Sequence, residues 1–309
     1  MAVAELTFRV MASDAHVILV DPAPGAEGFA RRRLEELEQR WSRFVPGSDI
    51  SRLNGAPEAL VFVSPDTVAL LATMKVAWRL SGGRYDPTLL AEITAAGYAT
   101  SHDGSGRTSC PADSSAHRGT IADVQVDADI GTATVPAGVG LDPGGIGKGL
   151  AADLVVTELL EGGTGGALVG VGGDLAAAGS PPAGEGWYVA VEHPLEPACD
   201  LMTLAVSAGG VATSSTLTRT WVQGGDRRHH VIDPRTGSCS ATDLVAVTVV
   251  AKAGWEAETH ATAALLGGAD RALDYLESHD LDGVAVTLDG TILISPALEG
   301  AGVIEGSCV

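Results

Sequence analysis

The chain opens on two alternating runs, Leu6 to Met11 and His16 to Val20, on either side of Ala12-Ser13-Asp14-Ala15. A period of two puts the apolar side chains on one face of a strand, so the pair predicts an antiparallel hairpin. From about Glu27 to Arg40 the period changes, with Leu34, Leu37 and Trp41 at helical spacing, and a helix is expected. Ser64-Pro65-Asp66 then supplies the capping hydroxyl, the proline and the early acid that start a second helix, running to about Leu80. Between about Ala99 and Thr120, Ser, Gly, Asp, His and Pro replace nearly all apolar residues, which predicts a mobile surface loop at a subdomain border.

Short strands near Ile121 to Val126 and Ala133 to Pro136 lead into the densest glycine region of the chain. Beyond it, Leu150, Leu154, Val155 and Leu159 form one stripe of a helix from about Lys148 to Leu160, and Ala167 to Val171 reads as a buried strand. The second half holds strands near Met202 to Val206, Thr218 to Val222, His229 to Ile232 and Leu244 to Val250. Helices at about Glu256 to Leu266 and Ala269 to Ser278 follow, before a hairpin around Asp289-Gly290. Strands and helices come in separate runs, so the expected class is α+β, with mixed or antiparallel sheets in one domain over residues 1–309.

Composition narrows the partners. Against 39 acidic residues stand 19 basic ones, and the formal charge of -20 repels nucleic acid and anionic membrane surfaces. The same field opposes any anionic nucleotide, so a site for one needs local cations, oriented N–H groups or a metal ion. Cys110, Cys199, Cys239 and Cys308 lie far apart without metal-ligand spacing, and read as unpaired thiols. Met1 to Val20 carries Glu5, Arg9, Asp14 and His16 and lacks the apolar run of a signal peptide. The expected location is the cytoplasm.

Four segments could carry chemistry. In Leu141-Asp142-Pro143-Gly144-Gly145-Ile146-Gly147-Lys148-Gly149, glycines let backbone N–H groups approach a ligand where a helix begins beside a lysine, a cradle for phosphate or carboxylate. The same glycines also suit a turn needed only for packing. Val169-Gly170-Val171-Gly172-Gly173-Asp174 ends a strand on glycines and an acid, and lacks the spacing of a dinucleotide fingerprint. In His229-His230-Val231-Ile232-Asp233-Pro234-Arg235-Thr236-Gly237, a histidine beside a fixed cation suits activation of a hydroxyl, although Asp-Pro-Arg-Thr-Gly is equally turn chemistry. Glu258 and Thr262, at i and i+4, offer a carboxylate and a hydroxyl on one helix face, part of a hard-cation shell.

Taken in order, these segments resemble the FAD:protein FMN transferase family, also called ApbE, from Met11 to about Gly268. The likeness includes Trp41-Ser42-Arg43-Phe44, Ser48-Asp49-Ile50-Ser51-Arg52-Leu53-Asn54 and Gly82-Gly83-Arg84-Tyr85-Asp86-Pro87-Thr88. It continues through Asp142 to Asp153, Val171 to Leu175, Val211-Ala212-Thr213-Ser214 and His230 to Gly237. The resemblance implies a T-fold-like α+β enzyme with an FAD cleft between subdomains, which transfers FMN from FAD to a Ser or Thr of an acceptor protein and releases AMP. It implies Mg²⁺, with Mn²⁺ as the alternative ion, held by the Gly147 carbonyl, Glu258 and Thr262. His230 would be the base, Lys148 would stabilise charge, and Asp233 and Arg235 would shape the histidine loop. Met11, Asp86, Thr88, Gly144, Gly145, Lys148, Asp174, Ser214 and His230 would line the FAD site. Rival readings are an FAD pyrophosphatase and a non-catalytic flavin carrier. Four departures fall near the chemistry: Glu258 for aspartate, Gly147 for alanine, Ser215 for glycine and Pro143 for leucine.

Overall fold

Eight strands, Val3–Val10, Ser13–Val20, Gly166–Val171, Asp174–Gly179, Gly209–Ser215, Leu244–Ala251, Asp282–Thr287 and Ile292–Ile294, lie side by side in chain order in a computed structural model. Every neighbouring pair is antiparallel. The described residues are 1–101, 104–109, 119–196, 198–300 and 304–305. They divide into two units, one of Met1–Leu34, Lys148–Leu217 and Ala241–Val309 and the other of Glu35–Gly147 and Thr218–Ser240.

The eight-stranded sheet is the frame of the first unit. On one face, Trp187, Val189 and Val191 of strand Trp187–Glu192, with Met202, Leu204 and Val206 of strand Asp200–Val206, pack on Val20, Leu168, Leu175, Val211 and Val284. Successive strand residues point to opposite faces. Gly210, next to Val211, therefore faces the other side, where it meets Gly254 at the start of helix Gly254–Gly267. Both faces of this strand are thus covered, and a one-residue slip in register would exchange Val211 for Gly210 on each side.

Two tight hairpins end at the same edge. Val10 pairs with Ser13 and Val171 with Asp174, leaving Met11-Ala12 and Gly172-Gly173 as two-residue loops. All four have positive φ, as the hairpin-favouring turns require. Gly172-Gly173 meets this at no steric cost, whereas Met11-Ala12 carries strain. The Gly172 N–H donates to the Asp14 carbonyl at 2.9 Å, so the two turns are adjacent.

In the second unit, helices Asp49–Gly55, Pro65–Leu80 and Leu90–Ala95 accompany a three-stranded sheet of Val61–Phe62, Thr132–Thr134 and Gln125–Asp127. Two hairpins complete it, Thr220–Gln223 with Asp226–His229 and Ile232–Asp233 with Ser238–Cys239.

Several expectations change. The strand foreseen at 121–126 is a 3-10 turn, Ile121–Asp123, closed by a Thr120–Asp123 capping box, followed by strand Gln125–Asp127. The strand foreseen over 229–232 is interrupted at His230 and Val231, which join the two hairpins. Cys199 is disulfide-bonded, correcting the reading of the cysteines as unpaired, while Cys239 is free. Cys110, Cys308 and residues 102–103 and 110–118 of the foreseen loop lie outside the described residues.

Candidate functional site

Two helices of the chain meet backbone to backbone. A Cβ on Gly149, in helix Gly147–Glu161, would lie 2.4 Å from the Gly254 carbonyl carbon, and one on Gly254 would lie 2.8 Å from the Gly149 oxygen. Only glycine permits such an approach. Helix Gly254–Gly267 has no side-chain cap of its own at this end, and each helix N-terminus receives a carboxylate from the other helix. Asp153 accepts from the Gly254 N–H at 2.7 Å and the Trp255 N–H at 2.9 Å, while Glu258 accepts from the Gly149 N–H at 2.8 Å. Carboxylates at helix N-termini satisfy unpaired N–H groups and oppose the positive end of the helix dipole.

Lys148 completes this cluster. Its ammonium donates to Glu258 Oε1 at 2.9 Å and to the Asp174 carboxylate, which stands just after the Gly172-Gly173 turn. Both carboxylates are almost fully buried, at 2% exposure for Asp174 and 3% for Glu258. Burial pushes the Glu258 carboxyl up to about 7, against the pull of the Lys148 charge and with a further push from Asp174. One helical turn on, Thr262 Oγ1 shares a 2.8 Å hydrogen bond with Ser214 Oγ. The first unit therefore brings together Lys148, Asp174 and Glu258, and pairs Ser214 with Thr262. Ser215, one of the four departures, is buried, and its hydroxyl donates to the Val245 carbonyl at 2.9 Å.

Asp153 makes a test of the capping exchange. Its carboxyl is raised to about 6, by burial first, against the two N–H donors, with Glu256 adding a smaller push. Because the folded value lies above the unfolded one near 3.8, the stability it contributes is full below that value and is lost as pH rises through about 6. Asp153→Asn removes this dependence. The gap in melting temperature between wild type and variant should widen as pH falls from about 7 to about 4, and a constant gap would contradict the assignment.

Of the remaining candidates, Met11 lies in the first unit and the others in the second. The segment before the glycine turn is held by Asn54, which donates to the Leu141 carbonyl at 2.9 Å and accepts its N–H at 2.7 Å. Asp142 donates its N–H to Pro87 and accepts the Gly144 N–H at 3.0 Å, which opens the turn. Asp86 accepts from the Thr88 N–H and hydroxyl, closing its own loop around a Thr88 that is 1% exposed. Gly144 and Gly145 follow in the turn, and Gly147 is the first residue of the helix that carries Lys148. Asp233 grips Arg235 through both carboxylate oxygens and the Arg235 N–H, which keeps its carboxyl below the usual range and shapes the Pro234 to Gly237 turn.

His229 is tied to the backbone on both sides of its ring. His229 Nδ1 accepts the Val231 N–H at 3.3 Å and its Nε2 faces the Ser240 carbonyl at 3.1 Å, a neutral ring with both nitrogens committed to backbone. Burial holds its pKa below the ordinary histidine value, with Arg227 adding to the effect.

Arg43, Asn54, Asp142 and Asp153 belong to segments legible in the sequence, yet no role was readable for them. Their function is to hold backbone, and spacing alone gives no sign of which backbone a side chain will meet.

The profile of the ApbE family matches residues 8–288. A FAD:protein FMN transferase of Escherichia coli K12 is 30% identical over 146 residues, 47% of this chain and 42% of the relative. The chain thus aligns with less than half the length of that relative. One from Vibrio cholerae is 27% identical over 261 residues, covering 81% of this chain and 75% of its own length. Among solved structures, the ApbE protein of Thermotoga maritima superposes with a TM-score of 0.84 at 22% identity, over 97% of this chain and 99% of that one. The apo flavinyl transferase ApbE of Pseudomonas stutzeri gives 0.79 at 24%, over 97% and 96%. These structures share the fold.

Proposed function

The chain belongs to the ApbE family, and from that premise we propose that it is a FAD:protein FMN transferase, acting on FAD and on a Ser or Thr hydroxyl of an acceptor protein. The observation that carries this reading is the glycine-mediated helix crossing, which gathers Lys148, Asp174 and Glu258 where two helix N-termini meet.

The donor set fits Mg²⁺ or Mn²⁺ in kind. Glu258 and Thr262 offer hard oxygens on one helix face, as would the Gly147 carbonyl. Among the described residues no three His, Cys, Asp or Glu side chains form a metal-binding group. Hydroxyl, carbonyl and substrate oxygens would therefore complete the shell. An ion bound there would neutralise charge on the pyrophosphate oxygens.

The protein's own residues would do the rest. Lys148 and the N–H groups of Gly144 and Gly145 would hold the phosphates, while Met11, Asp86, Thr88, Asp174 and Ser214 would line the FAD site. His230 would take the proton of the acceptor hydroxyl as its oxygen bonds to the FMN-side phosphorus. The pyrophosphate bond then breaks and AMP leaves, in a reaction governed by positioning and charge. Asp233 and Arg235 would fix the loop that presents His230.

Among the described residues no helix is long and apolar enough to cross a membrane. The acceptor is proposed to be cytoplasmic, a placement that the disulfide at Cys199 opposes, since such bonds persist mainly in oxidising compartments.

The test is AMP release from FAD and Mg²⁺ with and without a peptide bearing Ser-Gly-Ala-Thr. Transfer predicts AMP that depends on the peptide and falls by about 100-fold or more in His230→Ala. Equal AMP without peptide would replace the reading with a pyrophosphatase, and no AMP in either case with a flavin carrier.

A further inference from the structure

Among the described residues, the charges that meet at Lys148 are mostly negative. Two buried carboxylates, Asp174 and Glu258, share one ammonium, so with all three ionised one negative charge is left over. The N–H group of Gly149 helps Glu258 but carries no full charge. Burying an unbalanced ion is costly, so in the metal-free protein a proton on one carboxylate offsets the excess. A divalent cation in place of the ammonium would balance the two carboxylates.

Lys148 is also able to leave. Its stem is a flexible four-carbon chain on the second residue of helix Gly147–Glu161, and its side chain is 14% exposed against 3% and 4% for its partners. The carboxylates are fixed from behind: Glu258 by the Gly149 N–H, Asp174 by its place in strand Asp174–Gly179 immediately after a tight turn.

We propose that Lys148 is the resident counter-cation of the Asp174–Glu258 pair and gives up that place to a divalent cation, so that metal binding releases its ammonium for an anionic phosphate. This rests on the proposed function for the identity of the phosphate, though not for the exchange itself. The exchange makes the site self-ordering. Without the ion the lysine is spent on the carboxylates, and only with it does the site hold two separate centres of positive charge. Glu258 spans from the Gly149 N–H to the lysine ammonium, which holds the lysine-filled state together.

The exchange can be followed without FAD. Calorimetric titration with Mn²⁺ alone should give Lys148→Met a dissociation constant about tenfold or more below wild type, since the competing charge is gone. Equal or weaker binding would overturn the proposal, because it would make Lys148 a support of the metal site rather than its rival. Should Lys148→Met fail to fold, the wild-type protein answers the question. Acetylation of Lys148 by an amine reagent, read by peptide mass spectrometry, should rise about tenfold when Mn²⁺ is added, with Lys75 and Lys252 as internal references. Unchanged or lower labelling of Lys148 despite measured Mn²⁺ binding overturns the exchange and leaves the transferase reading standing. Absence of any Mn²⁺ binding overturns both the exchange and the metal requirement of that reading.

Discussion

Gly149→Ala is expected to destabilise the protein by about 3 kcal/mol or more and to abolish transfer, whereas Gly147→Ala, two positions earlier, should be nearly neutral or mildly stabilising. The added methyl at 149 would meet the Gly254 carbonyl carbon and oxygen at 2.4 Å and the Trp255 nitrogen at 2.7 Å. These are backbone atoms at a helix N-terminus and cannot rotate away. The helices would have to part, which withdraws Glu258 from the Gly149 N–H and Asp153 from Gly254 and Trp255. At 147 the nearest atom is Pro143 Cβ at 3.4 Å, an ordinary contact, and the family's own alanine there gains helix propensity. Thermal melts of the two variants decide it: similar melting temperatures would contradict the crossing.

Arg43→Ala should cost about 3 kcal/mol, and Arg43→Lys should recover little of it. The guanidinium is buried, lies 4.1 Å from the centre of the Phe44 ring and 4.8 Å from that of Tyr98, and donates to the Tyr98 carbonyl at 3.0 Å. Its Nε stands 3.4 Å from the carboxylate of Asp142, the residue that opens the glycine turn. Truncation removes the ring contacts and leaves a largely buried Asp142 without this cation. An ammonium cannot lie flat against two rings while reaching both oxygens. Denaturant unfolding with unchanged slope and a loss below about 1 kcal/mol would show that Arg43 is no clamp.

The longest periodic segments were the most legible. Helices expected at about 27–40, 64–80 and 148–160 are Ala26–Trp41, Pro65–Leu80 and Gly147–Glu161, the second capped by the Ser64 hydroxyl as its sequence suggests. Helices Asp49–Gly55 and Leu90–Ala95 span two turns or fewer, too short for a period to show. Strand Trp187–Glu192 was not foreseen, although Trp187, Val189 and Val191 alternate plainly. The α+β class was sound, and of the mixed or antiparallel sheets expected the eight-stranded one is antiparallel.

Of the site, residue types were legible and their contacts were not. Glu258 and Thr262 could be placed on one face from their spacing. That Glu258 would meet Lys148 and Gly149 depends on Gly149 and Gly254 touching, a contact between distant parts of the chain. The division into two units was equally hidden, because each is assembled from separated stretches of sequence.

Whether FMN is transferred is decided by the intact mass of a Ser-Gly-Ala-Thr peptide after incubation with the protein, FAD and Mg²⁺. The expected gain equals FMN less one water, matched by AMP and absent with His230→Ala. A peptide of unchanged mass, with FAD bound and Mg²⁺ present, would contradict it.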